Sequence, residues 1–540
     1  MSTADLVSTA GALLPLFVAV PLLLAGVSAV TRSRVLDRIL AIGVPVASLV
    51  GAVWLLTLHQ STPVIATAVG SYEAGIAIPF VSDSLSALML AVTGLATAAA
   101  TWFLSLTGED RYRFVPALAL MLMSGVNGAL LTGDLFNLFV FVEVMLLPSY
   151  ALIAVTGSWR RLGIGRMFVI VNLVTSITLL MGVGLVYGAA GSVNLAVLAG
   201  AAAEDPQVAV AATVVLLALA IKAGVVPVHG WLPRAYPATS AGIMALFSAL
   251  HTKVAVYALF RVWFTLFVPA ESATAQGPTT AGAFPAPDSP AAVVAVVMGV
   301  VVLVTMLVGA FGSLGEKRLR GVLAFQMTAG MGHILIGAVL GSPAAVAAGL
   351  FYLVHHVITM ASLLTTAGAV EHTYGTGTLG RLTGLMHRER LAAVLIALGL
   401  LSLAGLPPTS GLWGKVGLMT ASAEAAGSAE FGAGVWGVLL IVGVLISSAV
   451  TLIALQRLWG RSMAGAPMTT YRDLAPAGGR GELREMTETV RIPGRLLAPG
   501  VVMMGVSVAL FLGAGALMPV VQDAAHALLD TTDYVEAVLR

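Results

Sequence analysis

The chain has 540 residues, of which 59% are hydrophobic and 10% charged, with a mean hydropathy of +0.99. Such a composition excludes a soluble globular protein, and the absence of cysteine excludes disulfides, thiolate metal sites and iron–sulfur clusters held by this chain. The net charge of +2 decides little, because in a membrane protein the placement of charges matters more than their sum.

Apolar stretches of about 20 residues, each long enough to cross a hydrocarbon core of about 30 Å, recur from end to end. The chain opens MSTADLVSTA, without a basic n-region, so no signal peptide is expected. Hydropathy predicts fourteen spans, at 9–31, 39–58, 84–106, 114–132, 135–157, 167–188, 207–228, 239–266, 291–313, 321–340, 344–368, 391–423, 434–456 and 498–519. The basic residues test that count. Connection one carries Arg32, Arg34 and Arg38, connection three Arg111 and Arg113, and connection five Arg160, Arg161 and Arg166. Connection seven has Arg234, connection nine Lys317, Arg318 and Arg320, and connection eleven Arg381, Arg388 and Arg390. Connection thirteen holds Arg457, Arg461, Arg472, Arg480, Arg484, Arg491 and Arg495, so 22 of 27 basic residues fall in odd-numbered connections. Even-numbered connections instead show Glu73, Glu204, Asp205, Glu271, Asp288, Glu424 and Glu430. The positive-inside rule then places the odd connections in the cytoplasm and both termini outside, in a multi-pass protein of the cell membrane.

Two connections are unusual. Residues 267–290 are rich in Pro, Ala, Thr and Gly and read as a mobile external connector. Residues 460–496 are the longest polar stretch, basic and on the cytoplasmic side. They fit either a solvated loop held near anionic lipid or a docking surface for a partner chain.

Charges inside the spans carry the functional signal. Glu143 lies about nine residues into span five, in NLFVFVEVMLL, near mid-membrane at about 1.5 Å per residue. Three of the four lysines also lie in apolar runs: Lys222 in LLALAIKAGVV, Lys253 in FSALHTKVAVYALF, and Lys415 in SLAGLPPTSGLWGKVGL. A charge at the bilayer centre costs roughly 2.5–3.5 kcal/mol, so four of them forfeit on the order of 10 kcal/mol unless they pair or meet water. Lysine, unlike arginine, can give up its proton when buried. Together these residues point to proton handling.

Just beyond Lys222, Gly224, Pro227 and Gly230 predict a broken helix seven. Pro407-Pro408 predicts a break in helix twelve shortly before Lys415. Paired interruptions beside ionisable residues mark ion sites in transporters built from inverted repeats. Four histidines add titratable groups: His251, on a different helical face from Lys253; His333; and the adjacent pair His355 and His356. Each also fits a helix–helix hydrogen bond. Zinc on the adjacent pair is disfavoured, because neighbouring residues point apart and no third ligand is near in sequence. The string GTGTLG at 375–380 matches GxGxxG, but no strand precedes it and no βαβ unit surrounds it, so nucleotide binding is rejected.

The string TGDLFNLFVFVEVMLLPSYALI (132–153) resembles the fifth-helix signature of the Mrp-type multisubunit cation/proton antiporters, relatives of the antiporter-like membrane subunits of respiratory complex I. The likeness continues in KAGVVPVHGWLPRAYPATSAGIMALFSALHTKVAVYALFR (222–261), EKRLRGVLAFQM (316–327), LFYLVHHV (350–357) and LSLAGLPPTSGLWGKVGL (401–418). It is strong over about 80–425, and the wording GDLFNLFVF is most similar to the D-type subunits. The resemblance implies an all-α integral membrane fold of 14 transmembrane helices with two inverted five-helix repeats, helices 4–8 and 9–13. The implied units are N-terminal helices 1–3 (1–106), a first repeat (107–266), an external loop (267–290), a second repeat (291–456), a cytoplasmic basic loop (457–497), and helix 14 with an external tail (498–540). It also implies a mid-membrane relay from Glu143 and Lys222 to Lys253, through His251, His333, His355 and His356, to Lys415. One departure stands out. Many relatives carry a lysine in helix eleven where this chain has Met360.

On this reading the chain is a secondary-transporter subunit, not an enzyme, with no cofactor and no metal. Its partners are other antiporter subunits, the lipid bilayer, protons and Na⁺ or another monovalent cation, with no nucleic acid. The competing readings are a proton-pumping membrane subunit of a redox complex (NADH:quinone oxidoreductase or membrane-bound hydrogenase) and a non-transporting assembly scaffold.

Overall fold

Backbone in hydrocarbon must satisfy its own hydrogen bonds, and this chain does so almost entirely as helix. A computed structural model describes residues 3–31, 33–70, 72–155, 159–268, 289–428, 431–473 and 481–540. Most of the expected external connector at 267–290 lies outside the described residues.

The first part contains α1 (Thr3–Leu13), α2 (Leu16–Val30), α3 (Arg34–Leu58), α4 (Ser84–Thr107), α5 (Val115–Leu131), α6 (Leu135–Ala154) and α7 (Trp159–Ala190). Then come a short α8 (Ala201–Glu204), α9 (Pro206–Ala223), a short α10 (Trp231–Ala235) and α11 (Ala241–Phe267). The second part runs through α12 (Pro290–Gly315), α13 (Leu319–Leu340), α14 (Pro343–Tyr374), a short α15 (Leu385–Arg388), α16 (Arg390–Ala404), α17 (Gly411–Ala426) and α18 (Phe431–Leu458). The chain closes with α19 (Gly494–Leu512), α20 (Ala514–Leu529) and α21 (Thr532–Leu539). Among the described residues, 12 helices are long and apolar enough to cross a membrane, with α1 and α2 forming one of them. Helices α5 and α16 are apolar but shorter.

Four helices form the centre. The apolar stretches of α4, α11, α13 and α14 are buried over 89%, 100%, 94% and 94% of their length, whereas α3 is buried over 33%. The outward faces of α3, α7, α12 and α18 present large apolar side chains such as Val50, Met181, Val297 and Ile453, as lipid-facing surfaces do.

Two elements depart from a plain helical reading. Strands β1 (Val64–Ala68) and β2 (Pro79–Asp83) form an antiparallel hairpin, and β3 (Thr470–Arg472) pairs with β4 (Leu483–Glu485). Span fourteen, expected to run to 519, ends at Leu512, and the residues from 520 on, expected as an external tail, lie in the helices α20 and α21. Val521, Ala524, Ala525 and Leu528 of α20 are buried, with that helix packed on α14 and α4. The apolar positions of α20 recur at helical spacing, which a search for long continuous apolar runs passes over.

Connections bond to connections at their own end of the bundle. At one end, Phe80 bridges Thr132, Asp134 bridges Asn194, and the Gly200 N–H donates to Thr265 O at 2.8 Å. Both α1 and α21 pack on β1, so the two ends of the chain lie here. At the other end Arg38 pairs with Asp110, Arg320 pairs with Glu371 at 2.6 Å, and Arg388 donates to Val490 O at 2.9 Å. Basic residues from connections one, nine and eleven make these contacts.

Candidate functional site

Helix α9 stops at Ala223, where Gly224 takes φ +74° and its N–H returns to Ala220 O and Ile221 O. The chain then runs without α-helix until Trp231. Groups freed by the break find side-chain partners: Trp231 Nε1 donates to Ile221 O at 3.0 Å, and Val226 N donates to Thr305 Oγ1 at 3.0 Å. Non-helical backbone at membrane depth is tolerated when protein surrounds it in this way. Lys222 sits in the last turn of α9, 4% exposed, with Nζ 3.5 Å from Ser176 Oγ on α7.

The second break repeats the device with the order reversed. Helix α16 ends at Ala404, and Gly405 takes φ +87°. Lys415 lies on the far half, α17, and reaches back to place Nζ 3.2 Å from Ala404 O and 2.8 Å from Ser448 Oγ. A Cβ on Gly405 would meet Lys415 Cδ at 2.6 Å. A helix C-terminus carries partial negative charge, so both lysines occupy places that favour a cation.

Glu143 is half-buried on α6, and its Oε1 is buried without a hydrogen-bond partner. It interacts electrostatically with Lys222 and Tyr150. Among the described residues no direct ion pair joins Glu143 to Lys222, so the two act on each other through space. His251 extends this group: its Nε2 lies 2.6 Å from Ser149 Oγ on α6, its ring stacks on Phe247 at 4.5 Å, and it feels the Lys222 charge.

Lys253, two residues on, faces the other way. It is fully buried, its Nζ lies 3.3 Å from Thr252 Oγ1, and it interacts electrostatically with His356 on α14. Helix α11 thus divides the candidates into two groups, with His251 beside Glu143 and Lys222 and Lys253 beside the histidines.

Three histidines surround the Tyr352 ring, with His333 stacked at 5.1 Å, His355 edge-on at 5.1 Å and His356 tilted at 6.2 Å. His333 Nδ1 meets Ala329 O at 2.9 Å, and His356 Nε2 lies 3.5 Å from Gln326 O. His355 Nδ1 lies 3.0 Å from Ser410 Oγ, 3.2 Å from Thr359 Oγ1 and 3.4 Å from Ser402 Oγ. His333 and His355 interact electrostatically with Lys415, which links them to the second break. The other ring nitrogens, His333 Nε2, His355 Nε2 and His356 Nδ1, are buried without partners. Such atoms are costly unless hydrogen-bonded, and they mark a place suited to water or a moving proton. Adjacent His355 and His356 turn to different partners, and among the described residues no three His, Cys, Asp or Glu gather to hold a metal. Met360 is fully buried on α14, one turn beyond His356.

Sequence reasoning did not single out Ser149, Ser176, Ser410 or Ser448, since hydroxyls in spans are common and their partners are distant in the chain. It also missed a buried pair at the terminal end, Arg261 Nη2 to Asp83 Oδ2 at 2.6 Å. Its signal was present: Lys253, Tyr257 and Arg261 recur every four residues on α11. GTGTLG lies at the end of α14, where Arg318 bridges Thr378.

Residues 132–278 and 285–443 match the family described as NADH:quinone oxidoreductase/Mrp antiporter, transmembrane. The chain belongs to that family. All eight candidate residues, Glu143 to Lys415, fall within the matched residues. The chain is 28% identical over 534 residues to the D-type Na⁺/H⁺ antiporter subunit of Bacillus subtilis strain 168, covering 97% of this chain and 99% of that one. A chain in the structure of the Mrp complex from Dietzia sp. DQ12-45-1b is 39% identical, with TM-score 0.86 and coverage of 98% and 99%. A chain of respiratory complex I from Thermus thermophilus, 22% identical with TM-score 0.71 and coverage of 96% and 99%, shares the fold of this NADH:quinone oxidoreductase/Mrp antiporter member.

Proposed function

We propose that the chain is an integral membrane subunit of a multisubunit monovalent cation/proton antiporter of the bacterial plasma membrane. It works among other antiporter subunits and makes and breaks no covalent bond in a substrate. One observation carries the reading: near-complete alignment, at 39% identity, with a chain of an Mrp complex. The redox-complex reading shares the fold, but its likeness is either at 22% identity, which speaks for fold alone, or, for an NADH-quinone oxidoreductase subunit N at 30% identity, covers 72% of this chain against the 98% of the Mrp match.

In the finer proposal the chain crosses the membrane fourteen times, with α5 and the α16–α17 pair completing the count. Helices 4–8 and 9–13 form the two inverted repeats, and the basic connections face the cytoplasm. Protons move inward along Glu143, Lys222, Lys253, the histidines at Tyr352 and Lys415, coupled to export of Na⁺ or a similar cation. Glu143 supports the charged form of Lys222 from a distance. At an effective dielectric of about 20 such through-space interactions are still felt, and about 1.4 kcal/mol of them is a bias of about ten-fold in proton occupancy. Screening Glu143 releases that bias and sends the proton onward. Between His251 and Lys253 the path turns through α11, and water on the orphaned Ser248 Oγ and Thr328 Oγ1 would bridge it.

The test combines two measurements. Chains co-purifying in mild detergent should be antiporter subunits; quinone-reductase or hydrogenase subunits would replace the reading with the redox one. Everted vesicles should show cation-dependent proton flux that Lys253→Ala removes at unchanged protein level.

A further inference from the structure

We infer that the buried Asp83–Arg261 pair, with Tyr257 and Ser86, is a gate between Lys253 and the end of the bundle that carries both termini. The inference rests on the proposed role of Lys253 as a relay group, and deepens it by naming where the path meets the outside.

Lys253, Tyr257 and Arg261 stand on one face of α11, each about 6 Å further along the axis. The Tyr257 hydroxyl donates to Leu130 O at 2.7 Å and meets Ser86 Oγ at 2.9 Å. Arg261 Nη2 lies 3.5 Å from that same hydroxyl and 2.6 Å from Asp83 Oδ2. Asp83 closes the group by accepting the Ser86 N–H at 2.8 Å. Beyond it, Ser82 Oγ meets His59 Nε2 at 2.9 Å, and His59 Nδ1 lies 2.9 Å from Thr62 O. Gln60 and Ser61 beside them are exposed. Polar groups therefore run from one turn past Lys253 to the surface, through a core that is otherwise apolar.

The pair is placed to close that line. Its side chains are 6% and 1% exposed, and the guanidinium is held over the rings of Tyr257 at 5.5 Å and Tyr534 at 5.2 Å. Tyr534 comes from the last helix, and its own hydroxyl is buried without a partner. The ionisable groups facing the pair are thus His59, Tyr257 and Tyr534, with Asp134 acting on Tyr534 from a distance. A buried ion pair is poor at stabilising a fold, since apolar replacements are often as good. An arginine fixed on a proton path is a good barrier, because it stays charged and repels an incoming proton.

When the pair parts, the step balances simply. The Lys253 ammonium loses one proton and becomes an amine. The Tyr257 and Ser86 hydroxyls each accept one proton as they pass one on, and water admitted at the terminal end by the parted pair receives it. Inward transport runs these steps in reverse, from outside water to the Lys253 amine.

The chain has no cysteine, so a reporter placed in it can be read against the same complex carrying the cysteine-free chain. Ser86→Cys should react slowly with a small charged methanethiosulfonate reagent added to either face. In Asp83→Asn/Ser86→Cys the rate should rise at least about ten-fold, from the terminal end alone, and Asp83→Asn vesicles should leak protons without added cation. Asp83→Glu should restore slow reaction and coupled flux. Unchanged reactivity and no leak in an assembled Asp83→Asn complex would overturn the gate. If that variant does not assemble, Arg261→Gln takes its place, and failure of both to assemble would make the pair a strut and end the proposal. Normal flux in Lys253→Ala would sink the relay instead, while the accessibility result would still stand for the gate.

Discussion

Lys415 donates to the carbonyl oxygen of Ala404 at 3.2 Å, tying the second half of a broken helix to the end of the first. The contact uses a carbonyl that the break itself sets free. Lys222, on its own break, sits at the helix end without needing to reach. The two lysines are thus equivalent in field but not in tether.

That difference gives a test. Lys415→Ala should abolish cation-dependent proton flux and strip Ala404 O of a donor, at a cost of about 1–3 kcal/mol. Gly405→Ala forces an L-residue into the left-handed region, about 1–2 kcal/mol, and presses on the lysine stem. It should lower the melting temperature in detergent and depress flux without removing a charge. Full flux in Gly405→Ala at normal stability would mean that the Lys415 side chain is free to move elsewhere.

Glu143 acts on Lys222 through space, so charge should matter more than reach. Glu143→Gln and Lys222→Ala should each reduce flux by about ten-fold or more, while Glu143→Asp should retain a measurable part. Initial rates in everted vesicles at matched protein level decide this. Glu143→Asp as inactive as Glu143→Gln would point to a direct contact in the working state.

Sidedness follows from the basic connections, and exposure selects the reporters. Cysteines at Glu488 and Arg390, both exposed, should be shielded from an impermeant thiol reagent in intact cells. One at Asp533, also exposed, should be labelled. The neighbouring Thr531 is 6% exposed and would report burial instead of side. External labelling at Arg390 would invert the topology.

Met360 lies one turn from His356, where a lysine could share that imidazole's surroundings. If histidines carry the proton in its place, His356→Ala should cost more flux in the natural background than in Met360→Lys. Equal losses in both backgrounds would make Met360 plain packing.

The sequence made the apolar stretches, the helix breaks and the grouping of basic residues legible, because each is written locally in run length, proline and glycine, or charge. The hairpin of β1 and β2 was not, since five residues such as VIATA have no period long enough to separate them from an apolar connector. Residues Glu143, Lys222, Lys253 and Lys415 could be chosen because a charge in an apolar run is costly. Their grouping could not, because it depends on which way α11 turns His251 and Lys253. The Asp83–Arg261 pair joins residues 178 positions apart, so the four-residue spacing on α11 marks the face that carries the arginine but not its partner.

Helices α13 and α14 approach so closely that a methyl group on Gly330 would occupy the same space as the His356 imidazole. The ring is therefore held in place by an atom that is missing opposite it. Any side chain at 330 would require the imidazole to move, so a change at either position is felt at the other.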